Sequence, residues 1–312
     1  MMKNENFVSV NVAGAPDLIM RYYKTKGTPK DILVFVHGVS HGAWCWKYLM
    51  KYFTERGYAC FAINLRGHGD DKKRKNRRYA PLSDYVIDLI RCIDYIENHH
   101  NDSDIQIPYS KPIVIGHSMG GGIVERYISD FPHKVKGAVL YAPATAEGMK
   151  WRGIITTSGT LRGLRTSPTA LFGRKIWLAG SNFFAVKHKM RCTCRISRED
   201  LEESRQSLCK ESVKAMFGLR KFSLKKNIGI PVFVVGSDKD AYFPRESLEK
   251  TADFYNTKAM ILEGLCHDMM LDLKWEDSAY AVLEFLENPE RLQEEPSEFI
   301  KELEHKIYPD RH

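Results

Sequence analysis

The feature that most constrains the fold is a regular alternation of short apolar runs with amphipathic stretches, beginning at residue 31. Short runs rich in β-branched and aromatic residues predict strands, and stretches with a period near 3.6 predict helices. The predicted strands are residues 31–36, 58–64, 112–116, 135–141, 231–236 and 258–262, and the predicted helices are residues 43–56, 83–98, 119–130, 245–255 and 275–287. Two earlier runs, residues 6–12 and 17–23, predict an antiparallel edge pair. Several strands are continuously apolar, which is typical of strands covered on both faces. We therefore expect an α/β protein with a mostly parallel central sheet flanked by helices.

One block, residues 145–227, breaks this alternation. It contains no clear strand, and its apolar pieces are typical of short helices. It follows the strand ending at residue 141, so it starts at the carboxyl ends of the parallel strands, where open α/β sheets bind ligands. We expect a mainly helical cap over residues 145–227, inserted into a core made of residues 1–144 and 228–290. Residues 291–312 are predicted to be a charged C-terminal tail.

The net charge of +8 is concentrated in the predicted cap. Between Lys150 and Asn227 there are 18 Lys and Arg against 5 Asp and Glu, so the rest of the chain carries five net negative charges. Such a cap favours an anionic substrate or contact with an anionic membrane surface. The alternative is that its lysines and arginines only solvate the surface of the cap. A second basic run, KKRKNRR at residues 72–78, is typical of a solvated loop, and nucleic acid is not an expected partner.

The expected location is the cytoplasm. The first thirty residues lack the positive head and apolar core of a secretory signal, and no stretch is long and apolar enough to span a membrane. The seven cysteines are odd in number and widely scattered, which favours reduced thiols. Cys192 and Cys194 have no matching second pair, so no metal site is predicted, and nothing in the sequence calls for a cofactor.

Residues 113–127 read IVIGHSMGGGIVERY, a strand, a corner of small residues and the start of a helix. Gly116 and Gly120 flank Ser118 in the pattern G-x-S-x-G. A serine at such a corner takes a strained backbone conformation, and its neighbours must be small for the turns to pack. The pattern alone is weak, but the strand before it and the helix after it supply the context that it requires. Ser118 is therefore the predicted nucleophile.

A serine hydroxyl needs a base to accept its proton, usually a histidine oriented by a carboxylate. Among eleven histidines, His267 follows the last predicted strand and a short loop, in the segment ILEGLCHDMM, and is the predicted base. The preceding strand leads into GSDKDAYFP, which offers Asp238 and Asp240. Asp240 is preferred because it lies just before the turn into the next helix, and Asp238 stays open as the alternative.

An anionic tetrahedral intermediate also needs N–H donors that are already in place. The amide of Met119 is one expected donor, because it lies at a helix N-terminus. The loop after strand 31–36 reads HGVSHG, and Gly38 would let its backbone approach the site closely. The amide of Val39 is the second expected donor. His37 and His41 are interpreted as residues that shape this loop rather than as bases.

Together the segments VHGVSHGAWCW, NLRGHG, GHSMGGG, GSDKDAYFP and GLCHDMM resemble the α/β-hydrolase superfamily over most of residues 31–287. The resemblance implies the α/β-hydrolase fold, whose chain order of nucleophile, acid and base is that of Ser118, Asp240 and His267. HGAWCW is similar to the branch that holds plant methyl esterases and hydroxynitrile lyases, and LRGHG resembles lysophospholipase-like and monoglyceride-lipase-like esterases. Serine at position 118 departs from haloalkane dehalogenases and epoxide hydrolases, which carry aspartate there.

These residues predict a serine esterase or lipase-like hydrolase that cleaves a small or lipid-like carboxylic ester through an acyl-enzyme on Ser118. Two alternatives stay open at this level. A ligand receptor on the same fold would bind or slowly cleave a small molecule and signal through its cap. A hydroxynitrile-lyase-like protein would use the same three residue types together with a pocket lysine, which cannot be singled out from the sequence.

Overall fold

The computed structural model describes residues 7–12, 18–23, 25, 27–69, 80–99, 101–102, 105–107, 110–144, 195–209, 211–219, 223–240 and 242–311. The strands within these residues are β1 (Phe7–Asn11), β2 (Ile19–Tyr23), β3 (Ile32–Val36), β4 (Ala59–Asn64), β5 (Asn101–Asp102), β6 (Ile105–Gln106), β7 (Ile113–His117), β8 (Gly137–Tyr141), β9 (Val232–Ser237) and β10 (Ala259–Leu262). The α-helices are α1 (Lys47–Glu55), α2 (Leu82–Asn98), α3 (Met119–Asp130), α4 (Arg198–Ser207), α5 (Val213–Gly218), α6 (Arg245–Phe254), α7 (Trp275–Glu287), α8 (Pro289–Glu294) and α9 (Pro296–Ile307).

Eight of these strands form one sheet in the order β1-β2-β4-β3-β7-β8-β9-β10. Every pair from β4 to β10 is parallel, whereas β1 pairs with β2, and β2 with β4, in antiparallel fashion. At the centre, Val34 of β3 lies opposite Phe61 of β4 and Val114 of β7. The predicted α/β class, the mostly parallel sheet and the antiparallel edge pair are confirmed.

Helices cover both faces of the sheet and produce two apolar layers. On one face, α2, α3 and α6 pack against residues such as Val34 and Val114. On the other face, α1, α7 and α9 pack against residues such as Phe35 and Phe233, whose ring stacks on Phe285 with centroids 5.3 Å apart. Every residue of β3, β4, β7, β8 and β9 is buried, which explains why these strands are apolar except for the last residue of β4, β7 and β9.

The predicted strands and helices of the core are present, with ends displaced by one or a few residues. The predicted helix 43–56 begins with a 3₁₀ turn, Ala43–Trp46, before α1 starts.

Much of the predicted cap and the basic run at 72–78 lie outside the described residues. Residues 195–219, which we call the return segment, contain α4 and α5, and the terminal helix α9 buries an apolar face of Phe299, Ile300 and Leu303. The division into core, cap and tail stays a prediction.

The parallel arrangement brings the carboxyl ends of six strands to one edge of the sheet, and four of these strands lead to predicted site residues. β3, β7, β9 and β10 all run in the same direction, so the loops after Val36, His117, Ser237 and Leu262 share that edge. Ser118, Asp240 and His267 follow β7, β9 and β10 at this edge, and residues 37–39 follow β3. No helix in the described part of the chain combines the length and apolar character needed to cross a bilayer.

One buried carboxyl on α3 takes no part in this edge. Glu125 is fully buried, and the Tyr255 hydroxyl donates to its Oε1 over 3.4 Å. Its Oε2 has no hydrogen-bond partner within the described structure. Burial therefore raises the pKa of Glu125 well above its usual value, although the Tyr255 contact opposes the shift.

We expect Glu125→Gln to stabilise the protein more at pH 8 than at pH 4.5. Because the pKa is raised in the folded state, the unfolded chain releases this proton first as the pH rises, and stability falls by up to about 1.4 kcal/mol per pH unit. Glutamine removes this loss. Urea unfolding at both pH values measures the difference, with Glu298→Gln on the exposed side of α9 as the control. An equal gain at both pH values would contradict the assignment of a raised pKa.

Candidate active site

Ser118 lies at the corner between β7 and α3, in a conformation that non-glycine residues rarely adopt. Its φ is 53° and its ψ is −118°. A residue held in such a region costs on the order of 1–3 kcal/mol, and the surrounding structure must impose it. The Ser118 amide donates to the carbonyl of Tyr141 over 3.1 Å, and the Ser118 carbonyl accepts from the amides of Gly121 and Ala144. Hydrogen bonds on both sides of the residue thus hold the corner in place.

The glycines around Ser118 allow backbone segments to approach more closely than a side chain would permit. A Cβ at Gly116 would lie 2.4 Å from the carbonyl oxygen of Gly120, and a Cβ at Gly120 would lie 2.3 Å from the carbonyl oxygen of Val36. Gly121, for which the sequence offered no reason, would place a Cβ 2.6 Å from that of Pro143. All three positions therefore exclude larger residues.

His267 and Asp240 are joined by a short hydrogen bond. His267 Nδ1 lies 2.7 Å from Asp240 Oδ2, and both side chains are buried. Asp240 Oδ1 accepts hydrogen bonds from the amides of Tyr242 and Phe243, which fix the carboxylate. Because Nδ1 donates to Asp240, Nε2 of His267 is left to accept a proton. Burial lowers the pKa of His267, but Asp240 outweighs this effect and raises the pKa above its usual value.

Asp238 is engaged elsewhere. One of its carboxylate oxygens accepts the amide of Gly264 over 2.7 Å, and the other pairs with the ammonium of Lys239 at the surface. Between the two carboxylates that the sequence offered, Asp240 is the one that the structure brings to His267. Asp238 ties the loop after β9 to the loop after β10.

Residues 37–41 follow β3 and lie against Ser118. We call them the oxyanion turn, after the role that the sequence predicts for the Val39 amide. A Cβ at Gly38 would be 2.9 Å from His117 Nδ1 and 3.0 Å from the Cβ of Ser118, so a side chain there would crowd both residues. The Gly38 carbonyl accepts from His37 Nδ1 over 2.8 Å, and the Val39 carbonyl accepts from His41 Nδ1 over 2.7 Å. Both histidines therefore bind the backbone of the turn. Within the described residues, neither the Val39 nor the Met119 amide donates to a protein acceptor.

Two further buried residues near His267 were missed at the sequence level. His117, the residue before Ser118, donates from Nε2 to the carbonyl of His267 over 3.1 Å. Asp268 lies 3.6 Å from His41 Nε2 and 3.5 Å from His117 Nε2. Burial and the charge of His267 hold the pKa of His117 well below its usual value. Burial alone would raise the pKa of Asp268, but the three histidines hold it well below its usual range.

A second buried cluster, which the sequence also did not reveal, lies behind the oxyanion turn. Glu211 of the return segment accepts four hydrogen bonds, from His68 Nε2, the Tyr85 hydroxyl and the amides of Ser40 and Ser212. Burial alone would raise its pKa, but His68 and these donors lower it to about 2. His68 also donates from Nδ1 to the Arg66 carbonyl, so both ring nitrogens donate and Glu211 raises the pKa of His68 well above its usual value despite burial. The pair is an ion pair.

One group of three metal-type side chains lies close together in the described residues. Ligand atoms of His117, His267 and Asp268 are within 4.8 Å of one another. However, His267 Nδ1 is bound to Asp240 and His117 Nε2 to a carbonyl, so the geometry fits a hydrogen-bond network. Directly before His267, Cys266 is disulfide-bonded, and the prediction of reduced cysteines is therefore wrong at this position.

Comparisons with known proteins agree with this fold. A hydrolase family model described as "Serine aminopeptidase, S33" matches residues 27–274. Among solved structures, a bromoperoxidase from Bacillus anthracis has a TM-score of 0.63 at 17% identity, covering 90% of this chain and 99% of its own. A thermophilic esterase from Thermogutta terrifontis has a TM-score of 0.63 at 16% identity, with coverage of 91% and 99%. At these identities the structures support the fold alone.

Sequence relatives match over a shorter region. Pheophorbidase of Raphanus sativus is 31% identical over 109 residues, which is 35% of this chain and 37% of the relative. Methylesterase 18 of Arabidopsis thaliana is 33% identical over 36% of this chain and 38% of its own length. Monoacylglycerol lipase of Mycolicibacterium smegmatis is 33% identical over 37% of this chain and 39% of its own. The chain thus matches less than two fifths of the length of each of these relatives.

We expect Gly120→Ala to destabilise the protein, because its methyl group would lie 2.3 Å from the carbonyl oxygen of Val36. Overpacking of this kind costs about 1–3 kcal/mol. Urea unfolding measures the loss in the free energy of unfolding. Gly137→Ala in β8 is the matched control, since its nearest neighbour is the carbonyl oxygen of Pro231 at 3.2 Å, and its loss should be smaller. A Gly120→Ala variant as stable as the wild type would show that the corner has room for a side chain.

Proposed function

The chain belongs to the hydrolase family described as "Serine aminopeptidase, S33", within the α/β-hydrolase superfamily, and we propose from this premise that it hydrolyses a carboxylic ester through an acyl-enzyme on Ser118. The observation that carries the proposal is the 2.7 Å hydrogen bond between His267 and Asp240, on the sheet edge where Ser118 occupies its strained corner. A histidine oriented by a carboxylate, together with a serine on such a corner, supports nucleophilic acyl transfer.

An ester is proposed as the substrate, rather than the peptide amide that the family description suggests. The names of two relatives, a methylesterase and a monoacylglycerol lipase, point to ester bonds. The proposed substrate is therefore a small or lipid-like carboxylic ester. The basic composition of residues 150–227 supports an anionic group on that substrate, or docking of the cap on an anionic membrane surface.

In the proposed reaction, Ser118 Oγ attacks the ester carbonyl while His267 Nε2 takes the hydroxyl proton. Asp240 holds the imidazole in the correct tautomer and stabilises the imidazolium that forms. The intermediate collapses when His267 returns the proton to the leaving alcohol, which leaves an ester of Ser118. A water molecule, activated by the same histidine, then releases the acid. This reaction needs no cofactor and no metal.

The negative charge of the tetrahedral intermediate requires two backbone donors in this mechanism. The amides of Val39 and Met119 are proposed for this role. Neither is used by a protein acceptor in the described structure, and Met119 opens α3, where the helix dipole favours an anion. Gly38 supports the assignment by bringing the oxyanion turn against Ser118.

We expect Ser118→Ala to reduce kcat for a p-nitrophenyl ester by about 10⁶-fold while leaving the thermal unfolding temperature near that of the wild type. Fluorophosphonate should label the wild type and fail to label the variant. A series of esters that varies in chain length, with and without a carboxylate on the acyl group, then defines the substrate class. Retained activity in Ser118→Ala would overturn the mechanism. A single stoichiometric burst by the wild type would favour a receptor, and faster cleavage of an aminoacyl p-nitroanilide would favour a peptidase.

We expect Asp240→Asn to lower kcat by about 10⁴-fold, because the imidazole loses its correct tautomer. The same change should move the rising limb of the pH profile of kcat/KM. In the wild type this limb lies above pH 6.5, since Asp240 raises the pKa of His267 and the base must be neutral to act. In the variant, the carboxylate no longer offsets the effect of burial, so the pKa of His267 falls and the rising limb of the pH profile should shift to lower pH. Asp238→Asn is the control, and a larger loss there would overturn the assignment.

A further inference from the structure

The side chain of Glu211 binds the backbone of the oxyanion turn, although the two lie far apart in the sequence. Its Oε2 accepts the amide of Ser40 over 3.1 Å, and the two residues are separated by 171 positions along the chain. Two residues before Glu211, the amide of Cys209 donates to the carbonyl of Ser40 over 3.0 Å. The return segment therefore binds both the N–H and the C=O of Ser40. Ser40 has a φ of 63°, a left-handed conformation that an L-residue keeps only when its surroundings impose it.

These contacts determine how the Val39 amide is held. The Val39 N–H lies in the rigid peptide plane that it shares with the Gly38 carbonyl; a second plane, which holds the Val39 carbonyl and the Ser40 N–H, is joined to the first at the Cα of Val39. The first plane is fixed at the Gly38 carbonyl by His37. The second plane is fixed at the Val39 carbonyl by His41 and at the Ser40 amide by Glu211. If Glu211 releases Ser40, the second plane loses one of its two hydrogen bonds and can shift the first plane by rotation about the bonds at the Val39 Cα.

A carboxylate is the side chain that this position requires. Glu211 faces four donors at once, two on each oxygen, and His68, one of them, carries a positive charge. A glutamine of the same size has one acceptor oxygen and would direct its amide hydrogens at two of these donors. The other three contacts of Glu211 hold the carboxylate in position and leave it little freedom to turn away from Ser40.

Another carboxylate of the return segment has a different set of contacts. Asp200 is buried, and it accepts the Tyr48 hydroxyl and pairs with Lys47, both at the start of α1. It anchors the return segment to the core without touching the oxyanion turn. Asp200 and Glu211 thus make comparable polar contacts between the same two parts of the chain, and only Glu211 binds the backbone next to Val39.

We propose that Glu211 is a positioning residue, which fixes the Val39 amide for stabilisation of the tetrahedral intermediate by holding the Ser40 amide. The proposal rests on the proposed ester hydrolysis. Glu211 does not touch the substrate. Its effect is expected on the transition state, where the oxyanion forms, and much less on binding of the uncharged ester.

The test compares Glu211→Gln with Asp200→Asn in the full chain. Removal of one oxyanion donor costs about 10²–10³ in kcat, and a displaced donor should lose part of that, so we expect Glu211→Gln to lower kcat about 10–100-fold with KM changed by less than about threefold. An aryl trifluoromethyl ketone, whose adduct with Ser118 carries the oxyanion, should bind more weakly by a similar factor. Asp200→Asn should keep kcat and inhibitor binding within about twofold of the wild type, even where its thermal unfolding temperature falls equally.

The possible outcomes of these experiments distinguish a failure of the positioning role from a failure of the proposed function. A Glu211→Gln variant with wild-type kcat and inhibitor affinity would overturn the positioning role, and so would an equal loss of kcat in Asp200→Asn. If Glu211→Gln does not fold, Tyr85→Phe removes one support of the carboxylate and should lower kcat by about threefold at unchanged KM, whereas an unchanged kcat would overturn the role. A wild-type protein that neither hydrolyses esters nor reacts with fluorophosphonate would instead remove the proposed function, and this inference with it.

Discussion

The left-handed conformation of Ser118 depends on three neighbouring strands at once. β8 supplies the Tyr141 carbonyl that accepts the Ser118 amide, and β3 supplies the Val36 carbonyl, which would lie 2.3 Å from a Cβ at Gly120. These strands lie on either side of β7 because the sheet order is β3-β7-β8. The corner is therefore a product of the topology as well as of its own sequence. Without the neighbouring strands, the segment would keep only its own hydrogen bonds from Gly121 and Gly122 to the Ser118 carbonyl to hold a serine at positive φ.

The sequence predicted those parts of the molecule that depend on local pattern. The apolar runs predicted the strands and the flanking glycines predicted the corner. The position of Asp240 before a turn favoured it over Asp238, and Asp240 is the carboxylate that bonds to His267. The contacts of Glu211 with Ser40 and of His117 with His267 join residues 171 and 150 positions apart, and no local periodicity reports such pairs. The composition of residues 145–227 was also misleading, because this block is basic whereas Glu211, which binds the Ser40 amide of the oxyanion turn, is an acid.

Buried carboxyl groups in this protein differ in whether donors surround them. Asp240 accepts from two amides and His267, and Glu211 accepts from four donors, so each burial cost is offset by hydrogen bonds. Glu125, a buried residue of α3, has one weak contact and a raised pKa. The well-partnered carboxylates are those in or beside the loops at the carboxyl edge of the sheet. Hydrogen-bond donors therefore surround the carboxylates that hold a backbone or an imidazole in one orientation.

Two adjacent imidazoles illustrate how environment assigns different roles to the same side chain. The rings of His117 and His267 are 4.7 Å apart, so a charge on one disfavours a charge on the other. Burial lowers the pKa of both, but Asp240 binds only His267 and reverses the shift there. In the proposed reaction, the proton taken from Ser118 would accordingly rest on His267. His117 donates its Nε2–H to the His267 carbonyl, so that the residue next to the proposed nucleophile fixes the backbone of the proposed base.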